Sequence, residues 1–568
     1  MRTEQEILDL RNYLEGYYSS LYSNHDKNAD YYNLRMSLGR MRKGTVKYLP
    51  PTARTIIDSA VDHLMAYGHK VTMFPWNNRE ETKKDIETFC DFARGVIRFA
   101  ERNYVTNIRR AVKKNMFLYG IGILKAPMYV YREKPEDMDD ETWEKQLEQT
   151  LPFAFKSCHP KTILFEPSEP VTAVIESFDR TILSIKQAFP WYESTMADSS
   201  VVKYWEYWDN EQRQFFVNND PILTDSVDEV TGVPETQNLY GFIPYEIGNA
   251  GFGMDSYEGK PEEIFTGILL PILSALKAEA RLKTALNHGL EKDIYGTLTL
   301  DKFPTEDDFK LADTMGDFNV IDHQKYNPRH LLPPVATNDA YRVLDVVRSD
   351  QQAAVPSTLY GVAPKGMTSG YMMGLSVGEA RIKFDGVKLA WENMISKTLD
   401  KILVMTKYVE EKIGVPGVFA DNAKIVTIDP KKIDPRVQHF VIELDNELPE
   451  EKMNRTRLGM ELQDRRGLPL EVIQRDYYGY NPLEMRDSQL VEDILNLPEV
   501  KSLMAQRSLQ VAGLSEVLQS LQESNPQQPK EAPGYSPQKM VVDQTQGELP
   551  TEELMQGVSN EQQTVGTI

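Results

Sequence analysis

Apolar residues recur at three- and four-residue steps from the start of the chain. Ile7, Leu10, Leu14, Tyr18 and Leu21 fall on one face, which predicts an amphipathic helix. A loop through Gly39 and Gly44 leads to Pro50-Pro51, and Ile56, Ile57, Ala60, Val61 and Leu64 predict a short helix stopped by Gly68. From about Glu80 to Leu118 the stripe Phe89, Phe92, Val96, Phe99 and Ala100 predicts one longer helix, ended by Gly120 and Gly122. Ile123–Val130 then reads as a strand. The middle changes character: Val201–Trp208 (VVKYWEYW) and Gln214–Val217 (QFFV) carry the aromatic and β-branched content of paired strands.

Helical periodicity returns between about Glu262 and Lys292, through Ile268, Ile272, Leu276, Leu282, Leu286 and Leu290. Pro271 restricts its regular part to the C-terminal side or kinks it. Asp293–Val335 is a compact insertion with strand signals at Thr297–Leu300 and Phe318–Ile321, and a second helix covers about Asn338–Ala354. A Gly-rich loop follows. Ser376 and Glu379 have capping-box spacing before a long helix with the stripe Trp391, Ile395, Leu399, Ile402, Met405 and Val409, which Gly414 and Pro416 stop. Beyond it come β-like pieces at Lys424–Ile428 and His439–Leu444, then several helices. In the last of these, Val500, Met504, Val511, Leu514, Leu518 and Leu521 keep a heptad-like rhythm suited to packing within the chain or between copies. From Ser524 onward, prolines with many Gln, Glu and Ser residues predict a disordered tail.

These elements describe a helix-rich α+β chain of 568 residues, long enough for several subdomains. The formal charge of −21 excludes a general DNA-coating protein, because an acidic surface repels a polyanion. Two distant cysteines, Cys90 and Cys158, give no disulfide framework and suit a reducing compartment. The polar run after Met1 is no secretory h-region, and the apolar stretch near Ile268–Leu276 is too short to span a bilayer, so a soluble protein is expected.

Motifs for chemistry are few. Gly361–Thr368 (GVAPKGMT) approaches a phosphate-binding loop, but Met367 stands where that motif needs Lys, and Pro364 removes an N–H donor. No HExxH, Cys-x-x-Cys or G-x-S-x-G pattern occurs, so neither a metal, a cofactor nor a catalytic residue is expected. Cys158 reads as structural, and the pairs Asp139-Asp140 and Asp307-Asp308 as solvated turns. Tyr204, Trp205, Tyr207 and Trp208 sit among acids, which favours a strand core over a base-stacking platform. The run Arg109-Arg110 with Lys113-Lys114 is placed on the polar face of a helix, with a solvated or inter-subunit role favoured over DNA contact.

Several short stretches, in this order, resemble the portal proteins of tailed bacteriophages: Pro51–Val71 (PTARTIIDSAVDHLMAYGHKV), Phe117–Lys125 (FLYGIGILK), Tyr240–Ile247 (YGFIPYEI), and Thr368-Ser369-Gly370 ahead of the helix from Glu379. The resemblance covers most of residues 1–490 and departs in the C-terminal region. It implies a portal fold: residues 1–261 as N-terminal part and wing, 262–292 as first stem helix, 293–335 as clip and 336–355 as second stem helix. Residues 356–378 would be the tunnel loop, 379–413 the long wing helix, 414–521 the C-terminal wing and crown helices, and 522–568 the disordered tail.

The implied function is a non-enzymatic ring of twelve copies at the capsid vertex, a channel for genome packaging and ejection. The implied partners are double-stranded DNA, the terminase large subunit, the major capsid or scaffolding protein, and head-completion and tail adaptor proteins. No membrane is involved. The protein would assemble in the host cytoplasm and end in the virion. Twelve copies would carry roughly −250 formal charges, so the duplex stays central and slides without sticking. On the tunnel loop, Lys365 and Met367 are candidate DNA-channel residues, with Lys365 the phosphate contact. Tyr371, Met372 and Met373 form either a sliding surface or a subunit interface, and Arg381 and Lys383 are further candidates for DNA or interface contact. The competing classes are a terminase-like packaging enzyme, which needs a Walker loop and an acidic metal cluster, and a scaffold unrelated to DNA transit.

Overall fold

Thr3 and Glu6 start the first helix by a reciprocal cap: Thr3 Oγ1 accepts from the Glu6 N–H, and Glu6 Oε2 accepts from the Thr3 N–H (2.7 Å). The computed structural model describes most of residues 1–295, leaving aside 42–44, 75–79, 131, 133, 136, 224–233 and 255–258. It also describes 298–299, 329–330, 337–354, 382–409, 412–419, 422–445, 449–466 and scattered positions between 473 and 507. The chain divides into two units, Met1–Pro449 and Glu450–Ile568. The second is described mainly by one helix, introduced last below.

Helix α1 (Glu4–Tyr32) runs well past the predicted stripe. It buries Ile7, Leu14, Tyr18 and Leu21 as the periodicity requires, and then two polar residues. His25 Nε2 donates to the Tyr119 carbonyl (3.0 Å) and Asn28 Nδ2 to the Leu118 carbonyl (2.9 Å). Both acceptors end another helix, where carbonyls lack intrahelical partners. Helix α2 (Thr52–Met65) leads into β1 (Gly68–Met73). The single helix expected between Glu80 and Leu118 is two, α3 (Glu80–Arg102) and α4 (Ile108–Tyr119). The break comes from Asn107, whose side chain accepts from the Arg110 N–H (3.0 Å) and caps α4.

Gly120 closes α4 with φ +81°, a left-handed cap. A Cβ there would lie 2.5 Å from the Thr266 backbone, so the position accepts only glycine on both counts. The chain turns at once into β2 (Ile121–Tyr129). After α5 (Asp140–Leu147) and β3 (Phe153–Cys158) come β4 (Ile163–Phe165), β5 (Ala173–Thr181), α6 (Ile182–Ala188), β6 (Val201–Asp209), β7 (Arg213–Val217), β8 (Asp220–Pro221) and β9 (Tyr245–Asn249). Two antiparallel sheets result, one ordered β3-β2-β9 and the other β4-β5-β6-β7-β8. Trp205 on β6 stacks on Phe216 of β7 with ring centroids 3.7 Å apart.

The two sheets are joined by buried charge. Lys125 of β2 reaches Glu176 of β5 (2.9 Å) and Glu206 of β6 (2.6 Å). Glu176 also takes Lys156 (2.6 Å) and the Tyr245 hydroxyl (2.8 Å), while Trp208 Nε1 donates to Glu206 (3.0 Å). Burial alone would raise the Glu176 pKa, but Lys125 and Lys156 pull it down to about 2.

A short turn α7 (Pro261–Ile264) and a single 3₁₀ turn at Leu270–Ile272 precede α8 (Leu273–Tyr295), so Pro271 does confine the regular helix to its C-terminal side. Strands β10 (Leu298–Thr299) and β11 (Arg329–His330) pair, and α9 (Thr337–Ala354) follows. Helix α10 (Asp385–Val409) leads to the hairpin β12 (Ile413–Phe419) and β13 (Asn422–Ile428); Gly414 and Pro416 thus belong to a strand beyond the helix. Strand β14 (Phe440–Asp445) pairs with β1, and α11 (Pro449–Arg466) opens the second unit.

Helix α10 also covers a sheet edge. Glu392, Ser396 and Asp400 accept from the N–H groups of Leu444 (2.5 Å), Ile442 (3.2 Å) and Phe440 (2.9 Å) on β14. Four helical residues advance about 6 Å and two strand residues about 6.6 Å, so three rungs stay in step. An edge that would otherwise invite pairing is closed by side chains.

Candidate functional site

Helices α8 and α9 pack against each other and form the element on which the functional reading rests. Leu276 and Ala280 are buried on α8, and Leu344 and Val347 on α9. A polar pin lies between them. Glu279, almost fully buried, takes Lys283 one turn on (2.6 Å) and receives Gln351 Nε2 from α9 (2.8 Å). A buried carboxylate without such partners is costly, so the pair favours one register of the two helices. The rest of α9 is exposed and mixed in character, with Tyr341, Val343 and Val346 exposed by 53%, 49% and 62% among the exposed polar residues Arg342, Asp345, Arg348 and Ser349. The segment before α2 lies across α8: Met36 and Leu38 pack with Ala280, and Thr284 Oγ1 both accepts from the Tyr48 N–H (3.0 Å) and donates to its carbonyl (3.2 Å).

Of the residues singled out in the sequence, Lys365, Met367, Tyr371, Met372, Met373 and Arg381 lie outside the described residues, as do Asp307-Asp308 and the Ser376–Glu379 cap. Lys383 is described and exposed. It precedes Phe384, which is buried edge-on against Phe117 of α4 (ring centroids 5.0 Å apart), so the lysine stands where the chain enters α10.

The basic run on α4 requires a correction, because it forms no free polar face. Arg109 is buried and donates to the carbonyls of Leu64 (3.3 Å) and Tyr67 (2.6 Å) and to Glu101 (3.0 Å). Lys113, fully buried, donates to the Leu64 carbonyl (2.9 Å) and sits over the Trp391 ring. Together they satisfy carbonyls at and just past the C-terminal end of α2; the Arg109 charge suits the helix dipole there, while burial and then Arg109 push the Lys113 pKa well below the usual lysine range. Arg110 pairs with Asp62. Lys114 donates to the Tyr32 hydroxyl (2.5 Å) and faces Asp58 (3.8 Å). All four cations act within the chain. The missed signal is the spacing of 109 and 113, which places both on one face of α4, turned toward α2.

The aromatic group is strand core: Trp205 and Tyr207 are completely buried, and Tyr204 and Trp208 nearly so. Cys158 is buried, and burial followed by the nearby Glu176 carboxylate pushes its thiol pKa up, which suits a structural residue rather than a nucleophile. Asp139 caps α5 by accepting from the Thr142 N–H (2.9 Å), a structural duty that the solvated-turn reading overlooked. Among the described residues no group of three or more His, Cys, Asp or Glu side chains is placed to hold a metal ion. No described helix is long and apolar enough to cross a membrane.

No family model matches the chain, and no curated protein matches it. Among solved structures it is similar to a chain of the neck of an empty GTA particle computed with C6 symmetry. The identity is 11% and the TM-score 0.37, over 76% of this chain and 91% of that one, a likeness too distant to assign a role.

Proposed function

We propose that this chain is one subunit of a closed ring of the bacteriophage portal type, a non-catalytic channel through which double-stranded DNA enters and leaves a capsid. The observation that carries the reading is the arrangement of α8 and α9. The two helices pack side by side, pinned by Glu279 and Gln351, and they bracket an insertion whose ends pair as β10 and β11. That is the order stem, clip, stem of the resemblance drawn from the sequence. Val343 and Val346, neighbours one turn apart on the exposed side of α9, offer a neighbouring copy a small apolar contact.

On this reading the segment 293–335 is the clip, where the terminase large subunit docks during packaging and head-completion and tail adaptor proteins dock afterwards. Residues 356–378 are the tunnel loop, with Lys365 as a weak phosphate contact and Tyr371, Met372 and Met373 beside it. The capsid or scaffolding protein surrounds the wing, and the mature location is the virion. The net charge of −21 per subunit supports a bore that repels the duplex from all sides. Energy for packaging comes from a separate motor.

Size-exclusion chromatography with light scattering and negative-stain electron microscopy test the reading. The expected result is a ring with an axial hole, its mass a whole multiple of 65.1 kDa and near twelvefold. A protein that stays monomeric at every salt concentration would sink it.

A further inference from the structure

The α4 cluster leaves its cations no external role, which raises the question of where the chain's available positive charge lies. Between Asp30 and Asp58 there is no Asp or Glu, while Arg35, Arg40, Arg42, Lys43, Lys47 and Arg54 all fall in that interval. In a chain with 85 acidic and 64 basic residues, such a run is a marked segregation of charge. This is the same segment that lies across α8. Because Met41 packs on the cluster of Met36, Leu38 and Ala280, its neighbour Arg40 stands beside α8. Because Tyr48 is bonded to Thr284, Lys47 stands there too. Arg281 follows Ala280 directly, and Lys277 lies one turn before it.

Arg40, Lys47 and Arg281 are exposed and Lys277 is half-buried, and none of the four has an ion pair among the described residues. Arg35 and Arg54, by contrast, face Asp30 (3.4 Å) and Asp58 (3.5 Å). Small or polar residues also lie close along this strap: Ser37, Thr45 and Gly39, the last at φ +77°. Glycine and hydroxyl neighbours allow phosphate oxygens to approach backbone and side-chain donors. Val46 and Tyr48 are exposed singly, without the contiguous apolar centre of a protein interface.

We propose that the described parts of the strap, residues 35–41 and 45–48, and the adjoining turns of α8 form a sequence-independent contact surface for the phosphate backbone of nucleic acid. The patch belongs to the single chain and does not depend on ring closure. Four phosphate contacts release about four counterions, giving a log–log salt slope of roughly −3 to −4 and a roughly hundredfold loss of affinity between 50 and 200 mM salt.

The test uses the full-length protein and a fluorescein-labelled duplex of about 30 base pairs, followed by anisotropy across that salt range, with sizing of the same samples. The wild type is expected to bind with the stated slope. R40E/K47E/R281E is expected to bind at least tenfold more weakly with most of the slope lost, at an unchanged melting temperature. Should the charge reversals disturb folding, R40Q/K47Q decides the matter, with a slope shallower by about two. Absence of binding at the lowest salt, or variants that bind with the wild-type slope, would overturn the proposal. Tighter binding of poly-glutamate than of the duplex would overturn it as well, assigning the patch to an acidic protein. Failure to form rings while DNA still binds would count against the portal reading and leave this one standing.

Discussion

Two stretches of this chain look alike on paper and have opposite fates. Arg109, Arg110, Lys113 and Lys114 make a dense basic run on α4, and Arg40, Arg42, Lys43 and Lys47 make another in the sequence between α1 and α2. The first is consumed internally: every member donates to a carbonyl, a carboxylate or a hydroxyl of α1, α2 or the segments beside them. In the second, the described members Arg40 and Lys47 face solvent with no ion pair among the described residues. The difference teaches that density of charge along a sequence does not measure availability. What matters is whether unsatisfied backbone carbonyls or carboxylates lie within reach, and a helix packed against the end of another brings them there.

Substitutions can break this comparison. Lys125 is the extreme of the consumed class, and Lys125→Met would leave Glu206 buried without a counter-ion and Glu176 with Lys156 alone. The expected loss is about 3–5 kcal/mol in urea unfolding. A change below about 1 kcal/mol would mean that the joint between the sheets is not held by charge.

His69 tests the consumed class by pH. Its ring accepts from Trp391 Nε1 (3.1 Å), and burial, then Arg109 and Lys113, depress its pKa to about 3. The unfolded chain therefore binds the proton first. Stability from this group is complete above about pH 6.5 and falls progressively as pH drops toward 3, by roughly 3 kcal/mol at about pH 4. His69→Gln, which keeps an acceptor for Trp391, should flatten that part of the stability profile. His25, depressed by burial to about 4, accounts for part of the remaining slope. An unaltered profile in the variant would show that His69 is not held neutral.

The direct contrast between the clusters carries the smaller effects. Arg109→Ala should cost about 2 kcal/mol, because the Tyr67 carbonyl and Glu101 lose their donor and the Leu64 carbonyl is left with Lys113 alone. Arg40→Ala and Lys47→Ala should each stay within about 0.5 kcal/mol. Equal thermal shifts for Arg109→Ala and Arg40→Ala would erase the distinction.

Much of the fold could be read from the sequence where a single physical signal dominates. The apolar stripe of α1, the paired aromatic strands β6 and β7, the glycine turn at 120 and the proline ahead of α8 all follow from local rules. The errors have a common cause. Helix α1 continues past Leu21 because His25 and Asn28 serve carbonyls that lie about ninety residues away. Periodicity scored on apolar residues passes over such polar partners. The break between α3 and α4 turned on one Asn cap, and β14 found its partner β1 some 370 residues distant. Of the candidate site, the helix pair was legible but its Glu279–Gln351 pin was not, since Glu279 reads as an ordinary surface residue until α9 covers it.

The sequence by itself determined which segments could be helix or strand, the acidic balance of the whole, and the acid-free interval between Asp30 and Asp58. Those properties rest on neighbours along the chain. Only the tertiary structure decided which charges are spent and which are open, because desolvation and pairing depend on groups brought together from distant segments. It buried Lys113 and Lys125 and left Arg40, Lys47 and Arg281 on the surface.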